Sequence, residues 1–197
     1  MSNDGVNTSR RRFLATSTAV VGAAGAVGVA VPFLGSWAPS AKAKAAGAPV
    51  KADMSKLRPG ELITVEWRGK PVYVMRRTEA QLKDLPSLND QLRDPESNAS
   101  NQPEYAKNID RSIKPEYSVL IGLCTHLGCA PKPRPEVAPA DLGADWKGGF
   151  FCPCHGSKFD LAGRVYKGVP APTNLEVPPY KYESELVITI GVDGGAA

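Results

Sequence analysis

The chain has 197 residues, 24 Lys+Arg against 20 Asp+Glu, and a formal net charge of +4. Its hydrophobic content of 42% and charged content of 22% exclude a disordered chain, and its length suits one ordinary domain plus an appendage or two very small domains. The positive excess lies before residue 53, where Arg10, Arg11, Arg12, Lys42, Lys44 and Lys51 face only Asp4; residues 53–197 hold the remaining 18 positive and 19 negative charges, so the body is no polyanion binder and no nucleic-acid partner is expected.

No charge occurs from Phe13 to Ala41, long enough for a bilayer span of about 20 apolar residues. Three arginines precede it, which favours a cytoplasmic N-terminus. Ser9-Arg10-Arg11-Arg12-Phe13-Leu14 closely resembles the twin-arginine export signal of bacteria, which export machinery reads as an address. Residues 1–12 are therefore read as a cytoplasmic tail and 13–37 as a transmembrane anchor. Cleavage of a signal peptide is the competing reading, since Ala41-Lys42-Ala43 and Ala43-Lys44-Ala45 offer A-x-A patterns. The apolar run exceeds the usual h-region, and Gly22/Ala26 and Ala24/Gly28 are small-residue pairs suited to helix packing in a membrane. A retained anchor is favoured. Residues 38–52, rich in Ala, Lys and Pro, form a tether able to switch between coil and helix.

Residues 53–197 form a β-rich head. Glu61–Trp67 alternates, Arg68-Gly69-Lys70 turns, and Pro71–Arg76 returns, which predicts a β-hairpin. Thr78 and Gln81 suit a capping box opening a short helix through Leu92, interrupted by Pro86. Residues 93–116 read as a polar surface excursion, Tyr117–Gly122 as a buried strand and Lys132–Ala140 as a Pro-rich loop. Phe150-Phe151, Arg164–Tyr166, Leu175–Val177, Lys181-Tyr182 and Leu186–Ile190 complete a set of short strands suited to antiparallel sheets. No internal repeat is evident. The stretch 130–151 is open to two readings, partner contact or simple insertion, and its Trp146 is equally a candidate for the core.

All four Cys and both His fall between Cys124 and His155. They form Cys124-Thr125-His126-Leu127-Gly128-Cys129 and Cys152-Pro153-Cys154-His155-Gly156-Ser157. Six donors oversupply a four-ligand zinc site. Four ligands plus one disulfide is the simpler count, and an exported protein permits a disulfide. An iron–sulfur cluster also takes four ligands, and two His replacing two Cys on one iron defines the Rieske 2Fe–2S centre.

With these two motifs, the export signal, the anchor, the tether and Gly168-Val169-Pro170-Ala171-Pro172, the chain resembles the Rieske iron–sulfur proteins of quinol–cytochrome c oxidoreductases. The resemblance implies a Rieske-type antiparallel β-sandwich head with a cluster-binding subdomain, plus one N-terminal transmembrane helix. It implies one 2Fe–2S cluster held by Cys124 and Cys152 on one iron and His126 and His155 on the other. It implies a Cys129–Cys154 disulfide and a proline loop, 168–172, covering the cluster. His155 is the expected hydrogen-bond partner of a quinol, with His126 also exposed. Ser157, Gly156, Leu127 and Pro170 are the further residues expected around the cofactor, Ser157 as donor to a bridging sulfide. High-potential relatives carry Tyr where this chain has Phe159, so one donor to a ligand Cys is missing.

The implied function is that of the electron-carrying subunit of a cytochrome bc complex, an oxidoreductase and translocase. It oxidises quinol beside cytochrome b, contributes to proton translocation, and swings on its tether to a c-type cytochrome. The implied setting is a dimeric complex in a bacterial inner membrane, with the head in the periplasm. The Rieske subunit of a periplasmic arsenite oxidase is the nearest rival. Ring-hydroxylating oxygenase components lack the disulfide pair and are cytosolic. A zinc-stabilised binding module without redox chemistry is the rival from another class.

Overall fold

The computed structural model describes Gly5 and residues 7–193, and divides the chain into Met1–Ala45 and Ala46–Ala197. Of the tail read as 1–12, Met1–Asp4 and Val6 lie outside the described residues. In the first unit, helix α1 runs from Thr8 to Ser36, and the Asn7 side chain caps it by accepting from the Arg10 N–H at 3.0 Å. Its 29 residues rise about 43 Å, more than a hydrocarbon core of about 30 Å. None of its residues is buried, and Phe13, Val21 and Phe33 are exposed. A long apolar helix with no protein core to rest on suits a membrane span. Pro39 follows its end, and a short helix α2 covers Ala41–Ala46, with the Ser40 hydroxyl accepting from the Ala43 N–H.

The second unit contains three antiparallel sheets among the described residues. In the first, β2 (Leu62–Trp67), β3 (Lys70–Arg76) and β4 (Tyr117–Ile121) lie side by side in that order. Register pairs Leu62 with Met75 and Trp67 with Lys70. The expected hairpin turn closes on Arg68 and Gly69, with φ of 53° and 71°, the backbone of a type I′ turn, which matches the twist of the strands. In the second sheet, β1 (Val50–Asp53) pairs with β9 (Val187–Ile190), and β9 pairs with β8 (Tyr180–Ser184). Pairing with the head thus begins at Val50. In the third, β5 (Lys132–Arg134), β6 (Gly149–Phe151) and β7 (Lys158–Asp160) form an antiparallel ribbon. The main core gathers Val72, Val74, Val119, Leu120, Phe150 and Phe159.

Several expectations need correction. The capping box of Thr78 and Gln81 is present, but the helix it opens, α3 (Glu79–Asp84), stops well short of Leu92. Leu85–Gln91 continues as a 3-10 helix with Pro86 in its first turn, where the missing proline N–H costs least. Lys132–Arg134 is a strand rather than loop; it lies at a sheet edge, where Pro133 is tolerated. Arg164–Tyr166 and Leu175–Val177 are not strands. The first is held by single bridges, Phe159 to Val165 and Leu92 to Tyr166, and by the Val165 N–H to Asn174 Oδ1, and the second by backbone bonds to the Gly163 and Asn101 carbonyls. The polar stretch 93–116 is no surface excursion, since Ser97, Ala106, Arg111 and Ser112 are buried. Most of their polar groups are satisfied internally: Arg111 donates to the Ala162 carbonyl, at 3.2 Å, and to Gln102, and its buried Nε alone is left without a partner. Trp146 is core. It stacks on Tyr166 at 5.8 Å, in a small cluster with Leu88, Leu92 and Leu142.

Candidate metal centre

The two Cys/His loops grow from the ends of strands. The first follows β4 and the second links β6 to β7. Both fold into the same turn. The Cys124 N–H donates to the Cys129 carbonyl at 2.7 Å and the Gly128 N–H to the Cys124 carbonyl at 2.9 Å. The Cys152 N–H donates to the Ser157 carbonyl at 2.8 Å and the Gly156 N–H to the Cys152 carbonyl at 2.9 Å. Gly128 and Gly156 take φ of 80° and 76°, a conformation side chains disfavour. The glycines of the two motifs are therefore required by the turn.

Cys129 and Cys154 form a disulfide between the loops. It leaves Cys124 and Cys152 as buried free thiols, 3% and 2% exposed. The Cys152 sulfur lies within 4.8 Å of both disulfide sulfurs, but those two are already bonded and offer no thiolate. The rings of His126 and His155 meet edge to face, centroids 4.8 Å apart. His155 is exposed and His126 half-buried. The buried Nδ1 of His126 has no hydrogen-bond partner, the condition of a nitrogen kept for a metal.

Burial is the main cause that pushes the Cys124 thiol above its ordinary range, with neighbouring Cys152 adding to it. The His126 backbone and the Ser157 hydroxyl act against it. A buried thiol surrounded by such donors ionises when a metal takes the charge. Two thiols and two imidazoles on one disulfide-joined pair of loops fit the donor set of a His-ligated 2Fe–2S cluster.

The segment 168–173 meets both loops. The Ala171 N–H donates to Ser157 Oγ at 3.1 Å, and the Thr125 hydroxyl donates to the Thr173 carbonyl at 2.7 Å. Pro170 is exposed, and Leu127 is 71% exposed. Phe159 is fully buried beside β6. Sequence reasoning passed over Thr125. Its signal was its place between two ligand candidates, where a hydroxyl is free to tie the loop to a neighbour.

These features define the class. The head, over residues 48–181, matches the Rieske [2Fe-2S] domain. Residues 1–40 match the ubiquinol–cytochrome c reductase Fe–S subunit TAT signal. The chain is 59% identical over its whole length to the ubiquinol–cytochrome c reductase iron–sulfur subunit of Allochromatium vinosum, covering 95% of it. It is 43% identical to that of Blastochloris viridis over 96% of this chain and 97% of the other. For Bradyrhizobium diazoefficiens the identity is 40%, over 93% and 94% of the two chains. The chain belongs to the family of ubiquinol–cytochrome c reductase iron–sulfur subunits. Neither the arsenite oxidase subunit nor the zinc module is favoured by these matches.

Proposed function

We propose that the head takes one electron and one proton from a quinol at His155 and delivers the electron to a c-type cytochrome, within a cytochrome bc complex. The observation that carries this reading is the pairing of two buried free thiols with two imidazoles, one of them exposed, across a disulfide. Cys124, Cys152, His126 and His155 would hold the cluster. When bound, it supplies a one-electron acceptor of roughly −150 to +300 mV, against about −400 mV for plant-type ferredoxins, because neutral imidazoles replace two thiolates. The exposed ring of His155 is placed to accept a hydrogen bond from a quinol hydroxyl and hold its proton. Leu127 and Pro170 offer apolar contact to the quinol ring. Ser157 and Gly156 shape the second loop, and Cys129 with Cys154 keeps the two loops in register.

The export signal and anchor support a single-pass protein of the bacterial inner membrane with a cytoplasmic N-terminus and a periplasmic head. Its partners there are cytochrome b and a c-type cytochrome, in a dimeric complex. Helix α2 has six residues, well below the roughly 12–15 at which isolated helices become marginal in water. The segment 38–49 can therefore exchange helix for coil, as a head that visits two partners requires.

Electron paramagnetic resonance of the reduced full-length protein tests the centre. The parent is expected to show the signal of a histidine-ligated 2Fe–2S cluster, and Cys152→Ala and His155→Ala to lose it. A colourless parent holding zinc would overturn the reading.

A further inference from the structure

We propose that Arg93 is a positioning residue for quinol oxidation: it holds the proline loop 168–172 against the two metal-binding loops. This rests on the quinol reading above. The Arg93 guanidinium donates from one nitrogen to the Val169 carbonyl at 3.1 Å, and from the other, over a longer 3.4 Å, to the Pro172 carbonyl. Those carbonyls bracket Pro170 and Ala171. One side chain thus spans the same turn that Ser157 and Thr125 bond. The loop is held by two sets of bonds, those to the metal-binding loops and those to Arg93.

The footing of Arg93 is rigid for an exposed residue. Its own N–H donates to the Val165 carbonyl at 2.9 Å, and the Lys167 N–H donates to the Gln91 carbonyl at 2.8 Å. These bonds flank the antiparallel bridge from Leu92 to Tyr166. Leu92 is buried with Trp146 and Tyr166, so the stretch 130–151 supports this footing from below. On the other side, Asn174 donates to the Asp94 carbonyl and to Ser97 Oγ, at 2.9 and 3.0 Å. The Val177 N–H reaches the Asn101 carbonyl. The backbone at both ends of the proline loop is thereby fixed to residues 91–101, and Arg93 alone of that segment reaches into the loop's middle.

A carbonyl accepting a charge-assisted bond is held more firmly than one left to water. Without the guanidinium, Val169 and Pro172 exchange their partner for solvent, and the segment between them loosens. The Ser157 bond to the Ala171 N–H and the Thr125 bond to the Thr173 carbonyl then hold the loop without it. Pro170, one of the apolar contacts assigned to the quinol, shifts with it. The cluster ligands, on other loops tied by the disulfide, stay in place.

The test uses Arg93→Met, which keeps the stem and removes every donor, and Arg93→Lys, which keeps one charged donor, each in the assembled complex. Hydrogen exchange of peptides covering 168–173 is expected to quicken by about three- to tenfold in Arg93→Met, the fold-change of one ordinary hydrogen bond, as suits an exposed guanidinium. Exchange at 124–129 and 152–157 and the reduced-cluster spectrum are expected to stay unchanged. KM for quinol is expected to rise several-fold with kcat nearly retained, and Arg93→Lys to recover part of both effects. Unchanged exchange at 168–173 would overturn the proposal, as would faster exchange with an unmoved KM. Loss of the cluster signal would also overturn it, because Arg93 would then be supporting the centre itself. Absence of quinol-dependent turnover in the parent complex would instead sink the quinol reading, and the exchange arm would still decide whether Arg93 holds the loop.

Discussion

The loops 124–129 and 152–157 share one backbone turn and place different side chains on it. Aligned by their hydrogen bonds, Cys124 matches Cys152, His126 matches Cys154, Leu127 matches His155, Gly128 matches Gly156 and Cys129 matches Ser157. The two imidazoles therefore stand at different places of the same turn. The fourth place, just before the left-handed glycine, is exposed in both loops, and His155 and Leu127 occupy it. The third place holds the half-buried His126 in the first loop. The exposure of His155 follows from where the sequence sets it on a shared turn. An apparently symmetric pair of motifs yields one exposed imidazole and one half-buried imidazole whose Nδ1 is shut away from solvent.

The loops also differ in what stands behind them, and this difference can be broken. The second loop runs through β7 directly into a buried ion pair, where Arg164 Nε donates to Asp160 Oδ2 at 2.7 Å and both side chains are fully buried. Asp160 also accepts from the N–H groups of Ala162 and Arg164, and Arg164 reaches the Leu85 carbonyl at 2.7 Å. Asp160→Ala leaves a guanidinium in the core with its counter-ion gone. The expected loss is about 3–5 kcal/mol, read as a drop in Tm of roughly 10 °C or more. A loss under about 1 kcal/mol would mean that water reaches Arg164, and that the second loop has no special footing.

The disulfide joins the two halves of the comparison. It closes a separation of 25 residues, for which chain entropy predicts about 3.5 kcal/mol. The double variant Cys129→Ser, Cys154→Ser is expected to lose stability of that order and to give up iron to a chelator faster than the parent. Unchanged iron retention would show that each loop holds its own shape through the paired turn bonds alone.

A finer contrast lies in the two hydroxyls that tie the loops to 168–173. Ser157 is fully buried and receives the N–H of Ala171, itself buried. Ser157→Ala strands that N–H, at a cost of about 1–3 kcal/mol. It is also expected to lower the reduction potential, because a donor near the sulfurs goes with it. Thr125 is half-buried and gives its proton to a carbonyl that water can serve. Thr125→Val is expected to cost about 0.5–1.5 kcal/mol and to leave the potential in place. Thermal melts and redox titration of both variants separate the loops; equal shifts of potential would erase the distinction.

Much of this centre is legible in the residues themselves. Two copies of Cys, Cys-or-His and Gly at matching intervals fix the turn, and Arg68-Gly69 fixes the hairpin. The footing is not legible. Arg77, Arg111 and Arg164 are buried, and local sequence places charged residues outside. Their acceptors are mostly carbonyls supplied from far along the chain, such as Ala162 for Arg111 across 51 positions. The polar, proline-bearing stretch 93–116 looks solvated because its partners are invisible until the chain closes. The bond from Arg93 to Val169 spans 76 positions and leaves no local pattern to find.

A further effect is expected at Phe159, on the strand that leaves the second loop. The ring is fully buried, and its backbone pairs with Phe150 on β6 and bridges to Val165. The family resemblance sets the expectation of a tyrosine here in relatives of high potential, its hydroxyl a donor toward a ligand cysteine. This chain has the ring without that hydroxyl. Phe159→Tyr adds one oxygen to a packed site. Stability is expected to fall by no more than about 1–3 kcal/mol, the ordinary range for overpacking, and by less if the hydroxyl finds the cysteine sulfur. The reduction potential is expected to rise, since a new hydrogen bond near a ligand sulfur withdraws charge from the iron. A redox titration with no rise, at intact stability, would mean that the hydroxyl points elsewhere and that the second loop's donor set is already complete without it.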